Sequence, residues 1–210
     1  IVGYTDGTFG PSRSMTRSEA AAIFARLLAE KNGDTISTAA NTKFADIPAH
    51  AWYSGYVKYL SNNGITYGKS KTIFAPNDAI TRAEFTTMAV RFFDVYGDGD
   101  AEIMEQFSGF NDVSSGYWAA EYIKYAALHG WINGYGDGSF HADREINRAE
   151  VVTIVNRLLG READEDYIAD NLRKLNTFPD VTKRHWAYYA VMEAANAHTA
   201  VLGESESWSK

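Results

Sequence analysis

Cysteine is absent from the 210 residues, so no disulfide framework, thiolate metal site or cysteine nucleophile can contribute. Basic residues are in the minority: 20 Lys and Arg stand against 27 Asp and Glu, for a net charge of −7, and no basic run occurs. Nucleic-acid binders carry an excess of cations to displace counterions from phosphates, so this balance argues against that class. Apolar runs of the roughly 18 residues that a membrane span needs are also missing. A basic segment leading into an apolar one does not open the chain, so no signal peptide is expected; a secreted protein would be mature or excised material.

What is present is 45% hydrophobic and 14% aromatic residues, enough for a substantial core in one compact assembly. The chain repeats itself. Thr16-Arg17-Ser18-Glu19, Thr81-Arg82-Ala83-Glu84 and Asn147-Arg148-Ala149-Glu150 lie 65 and then 66 residues apart. A period of that size implies a supersecondary unit that buries its apolar face only by stacking on its neighbours. Thr or Asn followed three residues later by Glu is a capping box, so helices are expected to begin at Thr16, Thr81 and Asn147.

Capping does not explain the arginine. A cation in the first helical turn opposes the helix macrodipole by about 0.3–1 kcal/mol when exposed. One role for Arg17, Arg82 and Arg148 is to form an anion pocket with free N–H groups at the positive helix end. The other is to pair with carboxylates elsewhere in the fold.

A second landmark precedes each box: Phe44-Ala45-Asp46-Ile47, Phe110-Asn111-Asp112-Val113 and Phe178-Pro179-Asp180-Val181, each with a tryptophan eight residues after the Phe, at Trp52, Trp118 and Trp186. A helical apolar pattern follows each Trp: Tyr56, Val57 and Leu60, then Tyr122, Ile123 and Ala126, then Ala190, Val191 and Ala194. Gly64 and Gly130 are expected to cap two of these helices, while His198 holds that place in the third. Turns then run Gly3-Tyr4-Thr5-Asp6-Gly7-Thr8-Phe9 and Gly134-Tyr135-Gly136-Asp137-Gly138-Ser139-Phe140, with the Asp-Gly missing from Gly68-Lys69-Ser70-Lys71-Thr72-Ile73-Phe74. Apolar stripes mark the second helices: Ile23, Phe24, Leu27 and Leu28; Phe85, Met88, Ala89 and Phe92; Val151, Ile154, Val155 and Leu158. The connector with Tyr167, Ile168, Leu172 and Leu175 is expected to hold an extra helix.

These motifs resemble the S-layer homology family, whose repeat runs Phe-x-Asp-Val, Trp, a helix, Gly-Ile-x-x-Gly-Tyr-x-Asp-Gly-Thr-Phe-x-Pro and a Thr-Arg-Ala-Glu helix start. The likeness covers most of the chain in several independent landmarks. It implies an all-α fold, three helix-turn-helix repeats closed into a pseudo-threefold bundle. One domain over 1–210 would comprise a second half repeat at 1–31, repeats at 44–95 and 110–160, and a first half repeat at 178–203. The two halves either complete one unit or are parts of further repeats in a longer protein.

The resemblance also implies a non-catalytic module on the bacterial cell surface, secreted and anchored to an acidic, pyruvylated secondary cell-wall polysaccharide. An arginine fork suits a ketal carboxylate. Residue by residue, the resemblance assigns polysaccharide binding to Arg17, Arg82 and Arg148, with Asp46, Asp112 and Asp180 and the glycines Gly3, Gly68 and Gly134 lining grooves between repeats. Thr16, Thr81 and Asn147 would cap the helices at the anion sites. For the aspartates, stabilising the turn before the Trp helix is the alternative role. Trp52, Trp118 and Trp186 suit sugar stacking, although a Trp opening an amphipathic helix is more often a packing anchor. Asn147 for Thr, His141-Ala142 for x-Pro and the altered middle turn make the three sites unequal, with those of Arg17 and Arg82 favoured.

Self-association in a surface lattice and a glycan-processing enzyme fragment are the competing readings. A glycosidase needs two carboxylates about 5–10 Å apart at one place, whereas the acidic residues here recur with the repeat. His50, His129, His141, His185 and His198 show no metal-ligand spacing. Asp98-Gly99-Asp100-Ala101-Glu102 alternates carboxylates like part of a calcium loop, but the remaining ligand positions do not follow and an exposed acidic turn is expected. No cofactor or metal is expected, and no nucleic-acid or membrane-spanning partnership.

Overall fold

The computed structural model describes residues 1–96, 107–201 and 207–209; the acidic segment 98–102 lies outside them. Seven α-helices carry the described structure: α1 Arg17–Asn32, α2 Ser54–Asn62, α3 Arg82–Tyr96, α4 Ala120–Leu128, α5 Arg148–Leu158, α6 Glu165–Asn171 and α7 Tyr188–Ala195. A 3-10 turn, Leu172–Lys174, extends α6, and a two-stranded antiparallel ladder joins β1, Thr199–Val201, to β2, Ser207–Ser209. Among the described residues the chain is all-α apart from this ladder, which the repeat pattern does not foretell.

The three capping boxes form as expected. Glu19 N–H donates to Thr16 Oγ1 at 3.2 Å while Thr16 N–H donates to Glu19 Oε2 at 2.8 Å. The reciprocal pairs at Thr81/Glu84 and Asn147/Glu150 are alike. Gly64 and Gly130 follow the C-caps of α2 and α4 with φ of 74° and 68°, left-handed values that glycine adopts without a Cβ penalty. The extra helix in the long connector is α6, capped by Asp164, whose carboxylate accepts from Tyr167 N–H at 2.8 Å.

Two compact units divide the chain, Ser14–Ile146 and, together, Ile1–Arg13 with Asn147–Lys210. In the first, α1 packs on α2 and α3, and α3 on α4. Phe24 meets Phe85 at 5.3 Å and Phe92 at 5.0 Å between ring centres, and all three are fully buried. The stripe on α1 is narrower than its apolar pattern suggests: Phe24 and Leu28 are buried, but Ile23 and Leu27 are only partly so, and Ala20, Ala21 and Ala25 let neighbours approach instead. The residues just before the three caps bond in a cycle: Ile80 N–H to Met15 O, Ile146 N–H to Ile80 O and Met15 N–H to Ile146 O, at 2.9–3.0 Å.

In the second unit α5 packs on α7. Val152, Val191, Met192, Val181 and Ile168 form its core with Phe9 and Trp208. Trp208 stacks on His198 at 3.9 Å, and its backbone N–H donates to Asp164 at 3.0 Å, tying the end of the chain to the cap of α6.

Candidate functional site

Each Phe-x-Asp landmark locks one Gly-rich turn by three contacts that have the same chemistry in every copy. Phe44, Phe110 and Phe178 place their rings against Phe74, Phe140 and Phe9, with centres 5.2–5.4 Å apart. The same rings lie over Gly68, Gly134 and Gly3. A Cβ on Gly68 or Gly134 would come within 2.5 Å of the Phe44 or Phe110 ring, and Gly3 meets Phe178 in the same way. Space therefore demands glycine at all three positions, and at Gly68, with φ of 82°, the backbone does so as well. The aspartates close the lock: Asp46 accepts from the N–H of Phe74 and Ala75, Asp112 from Phe140 and His141, and Asp180 from Phe9 and Gly10, at 2.6–2.9 Å for the closest oxygen to each. Burial alone would raise the Asp112 carboxyl, but the Phe140 and His141 amides outweigh it and hold the group below the ordinary range.

The residue after each turn phenylalanine is left-handed: Gly10 at φ 68°, Ala75 at 59° and His141 at 54°. Two of the three positions carry a Cβ where the conformation disfavours one, at about 1–2 kcal/mol. The aspartate bonds to the N–H of that same residue hold it there.

The arginines reach into these locked turns. Arg17, Arg82 and Arg148 are 4, 5 and 8% exposed. Their Nε–H groups donate to the carbonyls of Phe74, Phe140 and Phe9 at 2.8–2.9 Å. Arg82 also donates to Asn133 O, and Arg148 to Val2 O. Each guanidinium lies over its turn phenylalanine at 4.6–4.9 Å from the ring centre, and Arg82 and Arg148 over Tyr135 and Tyr4 as well. A buried cation is tolerable because carbonyl dipoles and ring faces replace its hydration. Arg17 additionally meets the Glu84 carboxylate at 3.1 Å.

The helix-end N–H groups expected to be open to an anion are already occupied. Arg17 and Ser18 donate theirs to Asp78 O and Pro76 O, Arg82 and Ala83 to Arg144 O and Ala142 O, Arg148 and Ala149 to Arg13 O and Pro11 O. Thr16, Thr81 and Asn147 then use the N–H of the third helical residue. The misplaced charge is thus part of a clamp between one helix start and another repeat's turn, and the helix dipole faces carbonyl oxygens.

The tryptophans correct an expectation. Trp52, Trp118 and Trp186 are 53, 57 and 65% exposed, so they are not packing anchors; the residues that follow them, Tyr53, Ala119 and Ala187, take the buried places. Beside Trp118, Tyr117 donates to Asp143 at 2.7 Å. Burial, then that bond, with a smaller push from Asp143 and Glu84, moves the Tyr117 hydroxyl up to about 12. It stays a donor at any physiological pH.

Sequence reasoning did not find Lys69 and Glu84 as partners. Lys69 Nζ lies 2.5 Å from Glu84 Oε1, on the carboxylate that also meets Arg17. The signal available was the lysine at the place where the other turns have Tyr4 and Tyr135.

The architecture has known relatives. The sequence profile of the S-layer homology domain matches residues 1–21, 43–86 and 109–152, just over half of the chain. Cell surface glycoprotein 1 of Acetivibrio thermocellus is 34% identical across 97% of this chain and 9% of its own length. The cellulosome-anchoring protein of the same organism is 31% identical across 98% of this chain and 44% of its own. The amylopullulanase of Thermoanaerobacterium thermosulfurigenes is 30% identical across 78% and 8%. This chain therefore spans less than half the length of each of these relatives. Three profile matches, each ending within a capping-box helix whose arginine clamps a locked turn, place this chain in the S-layer homology domain family.

Proposed function

We propose that this chain is a non-catalytic anchoring module that holds a bacterial surface protein to the cell wall by binding an acidic, pyruvylated wall polysaccharide. The observation that carries the proposal is the exposure of Trp52, Trp118 and Trp186, one per copy, each more than half open to solvent. Large aromatic faces left exposed at an equivalent position in every copy are suited to pyranose rings, whose C–H faces stack on them. The anchoring role is in keeping with relatives named as cell-surface and cellulosome-anchoring proteins, and the occurrence of similar sequence in an amylopullulanase fits a module fused to varied cargo.

The clamp arginines order these surfaces. A guanidinium has five donors, and the bonds described for Arg17 and Arg148 use only some of them, which leaves capacity for a sugar carboxylate at the turn edge. Asp46, Asp112 and Asp180 serve the same surfaces by fixing the turns. The single-domain organisation over 1–210, with the half repeats at 1–31 and 178–203 completing a pseudo-threefold arrangement, belongs to this proposal. The cycle of bonds through Met15, Ile80 and Ile146 supports it.

Isothermal calorimetry of the domain against wall polysaccharide, with and without its pyruvyl groups, tests the proposal. Binding that requires the pyruvyl group is expected. Equal binding to the stripped polymer refutes the acidic recognition, and no binding to either refutes anchoring through the polysaccharide.

A further inference from the structure

Asparagine is followed by glycine at Asn32-Gly33, Asn63-Gly64 and Asn133-Gly134. Such pairs are open to intramolecular attack, because glycine has no side chain to keep its backbone nitrogen away from the asparagine amide carbon. Local sequence makes the three pairs alike. The fold makes them different.

Asn32 is the last residue of α1, and the Gly33 N–H donates to the carbonyls of Ala29 and Glu30. Asn63 caps α2; its side-chain amide donates to Tyr59 O at 2.9 Å, and the Gly64 N–H donates to Ser61 O at 3.3 Å. Both glycine nitrogens are tied into helix ends, and a bonded amide reacts only after local opening. Asn133 lies outside the helices and is exposed to solvent, and among the described residues no acceptor takes the Gly134 N–H.

Asn133 also stands where a change of backbone has consequences. Its main-chain carbonyl accepts from Arg82 at 3.3 Å, and Gly134 fits under the Phe110 ring. The residues at the same place before Gly3 and Gly68 are Val2 and Tyr67, which carry no side-chain amide. Of the three clamps, that of Arg82 alone is built beside such a residue.

We propose that Asn133 is a site of spontaneous modification through which the Arg82 clamp ages. The Gly134 nitrogen attacks Cγ of Asn133, the N–Cγ bond forms as the Cγ–Nδ2 bond breaks, and ammonia leaves with the amide proton. Water then opens the cyclic imide. Opening at Cγ gives aspartate; opening at the main-chain carbonyl carbon gives isoaspartate, in which the chain runs on through Cβ and Cγ. In net, an amide and water become a carboxylate and ammonium, with no oxidant or cofactor. In the isoaspartate form the carbon whose oxygen accepts from Arg82 becomes a free carboxylate, and the chain into Gly134 is one methylene longer. Gly134 then loses its register under Phe110, and the turn that Asp112 locks is loosened. The reaction needs no ligand and proceeds whatever the surface binds.

The test is incubation of the folded protein in mildly alkaline buffer, with isoaspartate in each Asn-Gly peptide measured by enzymatic methylation and mass spectrometry. The Asn133 peptide should accumulate isoaspartate at least about fivefold faster than the Asn32 and Asn63 peptides, the protection of roughly one amide hydrogen bond. In urea the three rates should converge. Equal rates in the folded protein, or a ratio that survives in urea, overturn the proposed site. Hydrogen exchange at Phe140 and His141 N–H should be about fivefold faster in the isoaspartate form, the loss of roughly one hydrogen bond, with Phe9, Gly10, Phe74 and Ala75 unchanged. Asn133→Gln, incubated alongside, should keep its slow exchange. The same acceleration in Asn133→Gln, or none in the isoaspartate form, overturns the effect on the clamp.

Discussion

Asp112→Asn is the sharpest probe of the locked turn, because it changes hydrogen bonding without changing shape. The carboxylate accepts from Phe140 N–H and His141 N–H, each at 2.7 Å and each on its own oxygen. An asparagine keeps one acceptor and turns an NH2 toward the second amide. A charge-assisted bond is worth about 1.5–3 kcal/mol. The Asp112 side chain is 30% exposed, so water recovers part of that and the expected loss is about 2 kcal/mol. For a chain of this size that lowers the melting temperature by about 4–8 °C. Thermal unfolding followed by circular dichroism at pH 7 measures it.

Acid supplies the control. The folded-state Asp112 carboxyl lies below the ordinary aspartate value of 3.8, so its contribution is complete above the unfolded value and is lost as pH falls through the folded one. The gap between the unaltered protein and the variant should therefore narrow as pH drops below about 4. A shift smaller than about 1 °C at pH 7, or a gap that persists undiminished into strong acid, would refute the claim that this carboxylate locks the turn.

Ala75→Gly should stabilise the protein by about 1 kcal/mol, because relief of the left-handed Cβ exceeds the entropy cost of glycine; a denaturant midpoint that falls would contradict this. Gly134→Ala should destabilise by about 1–3 kcal/mol through overpacking against Phe110 and Ser139 O, read from the same midpoint. His129 has no hydrogen-bond partner at either ring nitrogen, lies among Phe93, Tyr125 and Trp131, with Asp94 acting on Tyr125, and is held by burial below its ordinary value of 6.5. Stability should be full above the unfolded value and decline as pH falls below about 6.5, and His129→Leu should flatten that slope between about pH 7 and 5 in chemical denaturation. Trp118→Ala, at an exposed side chain, should change stability by less than about 1 kcal/mol yet weaken polysaccharide binding measured by calorimetry; retained affinity would exclude this ring from the contact.

Much of the helical framework was legible because its signals are local. A capping box joins residues three apart, and the stripes on α3 and α5 repeat at helical spacing, so Thr81 and Asn147 announced their helices with no knowledge of the fold. Gly64 and Gly130 were likewise readable as helix stops. The β1/β2 ladder was not, since three-residue strands offer too little pattern. On α1 the apolar count pointed to Ile23 and Leu27, but alanines won the buried places because closely packed helices select for small volume.

The candidate site was legible only as a set of residue types. Arginine recurring in three first turns showed that something was repeated, while its partners lie 57, 58 and 139 residues away in sequence. Exposure of the tryptophans was equally invisible, because Trp and the residue after it compete for one buried place and only packing chooses between them.

The sequence by itself determined the repeat, the helix starts and the recurring Phe, Asp, Gly and Arg, because these depend on spacing and on chemistry within a few residues. Tertiary structure alone decided that the helix-end amides face carbonyls, that each arginine clamps a turn from another repeat, and that Lys69 shares Glu84 with Arg17. Those outcomes depend on which buried polar groups are left to satisfy one another once distant segments meet, and nothing local encodes that.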